Sequence, residues 1–453
     1  MILRVNPNRP RPVPPKPAVS RLAVSFVLFS FLLSLPLLLT TATGSLAADA
    51  AFVRWLASQW PDAEKTGVSR ATFDGATRGL EPDFALPDLA GRPETPQAGQ
   101  PEFVRTPADY LRESTIARLA AQGAKLRERY RAVLDRIEQT YGVPGSIVLA
   151  IWGRESDFST RNAGQDAVQV LATQAYAGKR KDLFRQEFLL ALKMIEDGVP
   201  RTEMRASWGG AMGMTQFLPS EYYKHAVDFD GNGRPDIWHS VPDALASAAK
   251  QLADKGWQRG LHWAYEVRAP HTFACTSGVP EVTQTIGGWL KAGFAPARGR
   301  RLSPDELAQT ASVLQPEGIY GPAFLATKNY FVIKEYNFSD LYVLFVGHVS
   351  DRMDDPRSFE TSWNKGAQMR TADVETMQKD LTARGFYADK IDGKAGMLTR
   401  SAVGAYQKAN GLKLDCWPTA AVLDHMRAHP AMAPAPRSPI ATGQDAPAGR
   451  RSP

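Results

Sequence analysis

An apolar run from Ile147 to Trp152 leads into a single carboxylate, in the stretch Ile151-Trp152-Gly153-Arg154-Glu155-Ser156-Asp157-Phe158. A segment apolar on every side is built for burial, and here it reads as a buried helix that begins after Gly142 and Pro144. Its far end carries Glu155. The C-terminal end of a helix disfavours negative charge, and burial beside Trp152 and Phe158 disfavours it further. Both effects raise a carboxyl pKa, which keeps a proton at hand for general acid catalysis near neutral pH. Taken alone, the window fits an inert Glu at a fraying helix end more readily. The rest of the chain reverses that reading.

From Ala48 to about Ser350 the sequence reads as one large, mostly helical unit. Leu126, Tyr130, Val133, Leu134, Ile137 and Tyr141 recur at helical spacing. Phe188 to Ile195 forms a second apolar helix, closed by Gly198 and Pro200. Ala244, Leu245, Ala248, Ala249 and Leu252 form a third, closed by Gly256. Residues 351–368 are polar, with Pro356, Ser358, Ser362 and Gly366, and read as a linker. Residues 369–428 form a compact unit of helices and turns with its own apolar set, expected to fold alone on its tether. The remainder, 429–453, is rich in Pro, Ala, Gly and Arg and reads as a disordered tail.

At 453 residues the chain has room for about two to three domains. Met1 to Arg21 holds Arg4, Arg9, Arg11, Lys16 and Arg21 without an acid, and Leu22 to Leu39 is almost continuously apolar. Small residues follow at Ser45-Leu46-Ala47-Ala48. Residues 1–47 therefore read as a secretory signal with a long basic start, and an uncleaved membrane anchor is the alternative. The expected location is the periplasm. Without those five basic residues the 54 Lys and Arg fall to 49, against 47 Asp and Glu. A chain that close to neutral has no nucleic-acid footprint. Its two cysteines, Cys275 and Cys416, fall in different expected units, which argues against pairing. Two Cys and seven scattered His make no zinc site.

Three further stretches carry chemistry. Ser207-Trp208-Gly209-Gly210-Ala211-Met212-Gly213-Met214-Thr215-Gln216-Phe217-Leu218-Pro219-Ser220 is dense in small residues, which lets backbone approach a ligand. Gln216 adds an amide suited to sugar hydroxyls or an acetamido group; a tightly packed turn is the plainer reading. Asp228-Phe229-Asp230-Gly231-Asn232-Gly233-Arg234-Pro235-Asp236 places oxygens at positions one, three, five and nine with Gly at six, as an EF-hand calcium loop does. The twelfth position holds His239 rather than Glu, and Asp243 lies four residues further on. The alternative is an acidic turn without metal. Tyr336-Asn337-Phe338-Ser339-Asp340-Leu341-Tyr342 offers rings and an amide to sugars, or is an ordinary capped helix start.

Together these stretches resemble the lytic murein transglycosylases of the B class, over Ala51 to about Ser350. The matching pieces are Tyr141-Gly142-Val143-Pro144, the motif around Glu155, Gly210-Ala211-Met212-Gly213 with Gln216-Phe217-Leu218-Pro219-Ser220, the Asp-rich loop and Tyr336-Asn337. The C-terminal unit is similar to peptidoglycan-binding domains of cell-wall hydrolases, through Met377-Gln378, Gly385-Phe386-Tyr387, Ile391-Asp392-Gly393-Lys394, Tyr406-Gln407 and Asn410-Gly411-Leu412. In its second half Cys416 stands where Gly is usual. The resemblance implies a mainly α (α+β) fold: a lysozyme-like catalytic domain plus a small helical peptidoglycan-binding domain. It puts the catalytic acid on Glu155, sugar contacts on Tyr110, Ser207, Gln216, Tyr336, Asn337 and Tyr342, and calcium ligands on Asp228, Asp230, Asn232, Arg234 (through its carbonyl) and Asp243. Where the family has Asn-Tyr, this chain has Lys250-Gln251 before Leu252, so one stacking Tyr is missing.

The implied reaction needs one carboxylic acid, no cofactor for the chemistry, and structural calcium at most. Glu155 protonates the oxygen between N-acetylmuramic acid and N-acetylglucosamine. It then takes the proton of the 6-hydroxyl, which attacks C1 and leaves a 1,6-anhydromuramic end. The partner is the peptidoglycan strand, and the protein is expected to act as a monomer. A hydrolytic muramidase on the same polymer is the alternative, with Asp157 or Glu187 as its second carboxylate. A wall-binding protein without activity is the other.

Overall fold

The structure, a computed structural model, describes residues 43–90, 105–159, 164–363 and 369–430. Most of the export-signal reading of 1–47 and nearly all of the tail reading of 429–453 therefore fall outside the described residues. Helices dominate, as the periodic stripes require. The segment Gly145–Ser156 is a helix whose residues Ile147 to Ile151 are all buried. Gly142 closes the preceding helix, Arg131–Tyr141, with a φ of 75°, a left-handed value that suits glycine. Against the Gly145–Ser156 helix pack Glu113–Arg129, Arg131–Tyr141, Val241–Asp254 and Asp340–Arg352.

The last of these is itself buried from Asp340 to Ser350. Two largely buried helices thus lie side by side in the centre of the core. They run antiparallel, because polar bonds join their opposite ends. Ser350 Oγ donates to Ser146 Oγ at 2.8 Å, and Tyr342 Oη donates to Glu155 Oε1 at 2.6 Å. A second core joins the helices Ala167–Ala177 and Lys181–Glu196 to Phe52, Phe73 and Phe217.

A five-stranded antiparallel sheet supplies the β part of the α+β fold, none of whose strands the sequence pattern placed. Short strands β1 (Gln165–Asp166) and β2 (Arg205–Ala206) pair separately. The sheet is built from β3 (Ala264–Arg268), β4 (Thr283–Thr285), β5 (Ala295–Pro296), β6 (Thr310–Leu314) and β7 (Ala323–Thr327), in the order β4-β6-β7-β3-β5. Leu325 lies opposite both Tyr265 and Val313. Every residue of β7 is buried, so it shows no alternation in sequence and is silent to a period-two search.

Two sequence readings are corrected. The segment from Asp351 to Gln368 is no free linker over its described part. The helix Asp340–Arg352 runs into it, and Phe359 then stacks on His348 at 3.7 Å while Trp363 stacks over Phe324 at 6.3 Å. The Glu266 carboxylate accepts the backbone N–H groups of Glu360 and Thr361, each at 2.9 Å. The polar composition hid these two aromatic anchors.

The cysteines are the second correction: Cys275 and Cys416 form a disulfide, with Cα atoms 6.0 Å apart. The two units that they belong to are in contact, so assignment to different units did not separate them. The C-terminal unit comprises helices Thr371–Ala383, Met397–Ala409 and Ala420–Ala428 around Met377, Leu381, Val403, Tyr406 and Leu423. Its two halves repeat one device. Gln378 Oε1 accepts the N–H groups of Asp392 and Gly393, and Gln407 Oε1 accepts those of Asp415 and Cys416. Gly393 has φ 70° and Cys416 φ 53°. Cys416 therefore occupies a left-handed position that favours glycine, at a cost of about 1 kcal/mol or more. The turn tolerates it under the hold of Gln407 and the disulfide.

The disulfide closes a separation of 141 residues. Chain-entropy reasoning gives such a link about 5 kcal/mol as an upper value. Replacing both cysteines by Ser is expected to lower the urea midpoint clearly, with the m-value rising as the unfolded chain loosens. An unchanged midpoint would mean that the link constrains nothing.

Candidate functional site

Glu155 sits in the last turn of the Gly145–Ser156 helix and is half-buried. Tyr342, 1% exposed, donates its phenol to Glu155 Oε1. Its ring stacks on Tyr336 at 5.8 Å with 13° between the planes, and Tyr336 in turn donates to the carbonyl of Thr215 at 2.8 Å. Burial first, and the neighbouring Glu155 charge second, push both phenols well above the usual tyrosine range. Both therefore remain donors at any working pH.

The Gly-rich turn is tied to the same place from the other side. Ser156, next to Glu155, donates its hydroxyl to Met214 O at 2.8 Å. Met212 and Phe217 exchange backbone hydrogen bonds at 2.8 Å each, which pinches 213–216 into a tight loop. Gly213 has φ 75°, and a Cβ there would lie 2.8 Å from the Ile237 carbonyl. Gln216 has φ 56° and returns its Nε2 to Gly213 O at 3.0 Å. Ser207 is half-exposed on the arm of the same turn, where its N–H bonds Ala211 O. Glu155, the 213–216 loop, Tyr336 and Tyr342 thus share one site. Asn337 adjoins it and accepts the Ser339 N–H at 3.3 Å.

Two of the expected sugar contacts, Tyr110 and Tyr342, are buried. Tyr342 has almost no exposed face, and its one polar atom holds Glu155. Tyr110, 6% exposed, packs edge-on against Phe345 and accepts from Arg154 Nε and Nη2 at 2.9 and 2.7 Å. Both side chains are thus engaged with residues around the carboxylate. Gln251, at the position of the missing Tyr, is buried and donates to Glu221 Oε2 at 2.8 Å.

Sequence reasoning missed Arg118. The chain leaves the Glu155 helix through Asp157, Phe158 and Ser159, all with positive φ, between 52° and 67°. Consecutive left-handed residues without glycine are strained. Arg118 holds the turn by a two-pronged pair to Asp157 at 2.8 and 3.2 Å. The Trp152 indole N–H bonds Ser159 Oγ at 3.0 Å, and Phe158 packs edge-on against Trp152. A lone Arg 39 residues upstream gives no local signal. The bonds of Asp157 to Arg118 also answer the search for a second acid there. Glu187 is likewise engaged: it is buried and accepts the Ser220 N–H and Oγ at 2.9 and 2.7 Å, with burial raising its pKa.

The Asp-rich loop brings carboxylate oxygens of Asp228, Asp230 and Asp243 within 4.8 Å of one another. Asp228 accepts the N–H groups of Gly233, Asn232 and Gly231; these, Gly233 foremost, hold its carboxyl below the usual range. Asp243 is fully buried and accepts from Phe229, Asp230 and Asp236. Asn232 turns its side-chain oxygen to the Arg234 N–H at 3.3 Å. Asp236, the ninth position, caps Trp238 and His239, and His239 is exposed.

The transglycosylase SLT domain family matches residues 51–351, and the peptidoglycan binding domain family matches 370–426. The membrane-bound lytic murein transglycosylase B of Escherichia coli K12 is 30% identical over 230 residues; the match takes in 49% of this chain and 61% of that relative. This chain thus spans less than two thirds of that relative's length. Among solved structures, SltB3 from Pseudomonas aeruginosa in complex with NAG-anhNAM-pentapeptide is 34% identical, with a TM-score of 0.74, over 83% of this chain and 99% of that one. The same protein with NAG-NAM-pentapeptide gives 33% and 0.73 over the same shares.

The loop at Gly213 yields a direct check. Gly213→Ala places a Cβ against Ile237 and forces a left-handed alanine, and is expected to cost about 2 kcal/mol or more. Gly209→Ala, where a Cβ meets nothing within 4 Å, should cost much less. Thermal melts of the two variants compare them, and equal losses would contradict the packing described.

Proposed function

The chain belongs to the lytic murein transglycosylases of the B class, and from that premise we propose that Glu155 is its single acid and base on peptidoglycan. The observation that carries this reading is the Tyr342–Glu155 hydrogen bond at 2.6 Å, which holds one half-buried carboxylate at the mouth of the glycine-rich loop. In the first step the protonated Glu155 gives its proton to the bridging oxygen as the bond from C1 of the muramic sugar breaks. The acetamido group of that sugar stabilises the positive centre. In the second step the ionised Glu155 takes the proton of the 6-hydroxyl as O6 bonds to C1. Water is not consumed, and the product end is 1,6-anhydromuramic. The bonds of Asp157 to Arg118 and of Glu187 to Ser220 argue against the hydrolytic alternative, which needs a second carboxylate to activate water.

In this reading Ser207, Gln216 and Asn337 supply polar contacts to the sugars, and Tyr336 offers what remains of its ring. Tyr342 keeps the Glu155 carboxylate oriented between the two steps. The protein works outside the cytoplasm as a monomer on the wall strand, after export by its N-terminal segment. Among the described residues no helix is long and apolar enough to cross a membrane.

Structural calcium suits the Asp-rich loop: the Asp228, Asp230 and Asp243 oxygens converge, and oxygen donors are what calcium takes. Asn232 and the Arg234 carbonyl would complete the set. The ion would fix the loop below the Val241–Asp254 helix and take no part in the reaction.

Glu155→Gln keeps shape and removes the proton donor. General acid–base catalysis is worth on the order of 100- to 10,000-fold, and one group serving both steps puts the loss at the upper end. The measurement is release of anhydro-ended fragments from purified wall, followed by mass spectrometry. A Gln variant that keeps more than about a tenth of the rate removes Glu155 from the mechanism. For the loop, adding calcium to metal-stripped wild type should raise the melting temperature, because a ligand of the folded state stabilises it. Asp228→Ala should abolish that rise, and should also lower the metal-free melting temperature, since the Gly231 and Gly233 N–H groups lose their acceptor and the Asn232 N–H keeps only Asp230. No calcium-dependent rise in wild type would dismiss the metal.

A further inference from the structure

We infer that Arg400, in the C-terminal unit, is a positioning residue for the reaction, acting through the helix that carries Tyr342. This rests on the reading of Glu155 as the acid. The C-terminal unit is joined to the larger unit by more than the disulfide. Arg400 Nη2 meets Asp340 Oδ2 at 2.9 Å, with both side chains buried. Ser401 Oγ donates to Thr276 O at 2.7 Å, and Tyr320 Oη donates to Asp415 Oδ2 at 2.7 Å. Gly318 has φ 59°, and a Cβ there would lie 2.1 Å from the Asp415 carbonyl, so the two backbones touch. Gly404 lies against Thr276 of the larger unit, where a Cβ would meet its side-chain methyl at 2.9 Å. This is a built contact surface on both units.

What matters for the reaction is where Arg400 lands. Asp340 is the first residue of the Asp340–Arg352 helix, and Tyr342 is the third. The Asp340 carboxylate collects Tyr330 Oη at 2.6 Å, Lys334 Nζ at 2.7 Å and Arg400. Burial alone would raise its pKa, but Lys334 and Arg400 hold it well below the carboxylate range. It is ionised at any working pH, and it cannot be left with one cation fewer without cost. Arg400 is itself fixed by its second prong on the Ala395 carbonyl. The start of the helix is thus clamped between the Lys328–Lys334 helix and the C-terminal unit. Half a turn on, Tyr342 makes its bond to Glu155. A displacement of about 1 Å at the clamp is enough to break a hydrogen bond of that length and to cost reactivity steeply. The C-terminal unit therefore does more than tether the enzyme to wall. Its docking aligns the carboxylate.

Tethering and alignment differ in what they change. A tether acts on apparent affinity for a long polymer. An aligning contact acts on kcat, even on a substrate too short to reach the second unit. The test uses the full chain with its disulfide and short soluble glycan strands as substrate. Arg400→Met is expected to lower kcat about tenfold or more with KM within about twofold, and to leave pull-down on insoluble wall intact. Arg400→Lys, which restores the charge, should recover a large part of the loss. A kcat within about twofold of wild type overturns the inference, as does a rise in KM alone. If Arg400→Met does not fold, the paired variant Asp340→Asn with Arg400→Met removes both buried charges together. It must show the same loss of kcat, and a folded pair at the wild-type rate overturns the inference equally. Glu155→Gln is assayed alongside. An active Gln variant overturns the reading of the acid and this inference together, whereas an inactive one beside an Arg400→Met of normal kcat overturns this inference alone.

Discussion

Two helices that are buried over most of their length and lie antiparallel in one core set the rest of the structure. Neither Gly145–Ser156 nor Asp340–Arg352 is stable in water by itself; each buries its surface against the other and against the surrounding helices. Packing alone would leave them free to slide. The polar bonds at the two ends, Ser146 with Ser350 and Glu155 with Tyr342, remove that freedom. Slipping by a residue would break both bonds and leave the buried Tyr342 phenol and Ser350 hydroxyl unpaired, which costs more than the bonds themselves contribute. The register of the core and the orientation of the carboxylate are therefore one constraint.

The chemistry-bearing side of this design was largely readable from the chain. The apolar run ending on Glu155, the small-residue turn at 207–220 and the Tyr336–Tyr342 stretch were each ambiguous alone. Their order made them a family pattern, and the structure brings Glu155, the 213–216 loop, Tyr336 and Tyr342 together. What stayed hidden has a common cause. The family resemblance placed sugar contacts on Tyr110 and Tyr342, but it could not show that both are buried. Burial at those positions comes from Phe345, Arg154 and Glu155, which are distant in sequence from one tyrosine or the other. Arg118 was missed for the same reason.

The sheet and the C-terminal contacts were illegible for a different reason. Strand β7 is buried on both faces and so lacks the alternation that announces a strand. The segment 354–363 is polar in composition, with Phe359 and Trp363 as its large apolar anchors, and composition averages such isolated anchors away. The cysteines were judged by the units they belong to. That test presumes separate units, whereas Cys416 is the residue that brings the second half of the C-terminal unit against the 275–277 turn.

The antiparallel helix pair also limits how such a chain can vary in length over time. One inserted or deleted residue in an α-helix turns everything beyond it by about 100° and moves it about 1.5 Å along the axis. Between Ser146 and Glu155, or between Tyr342 and Ser350, such a change would leave one end bond made and carry the other out of reach. Descendants of this chain can exchange Leu for Ile or Val for Ala along the pair by ordinary substitution. They can lengthen or shorten it only by compensating changes in both helices at once, so diversification is steered into the connecting loops while these two spans keep a fixed residue count.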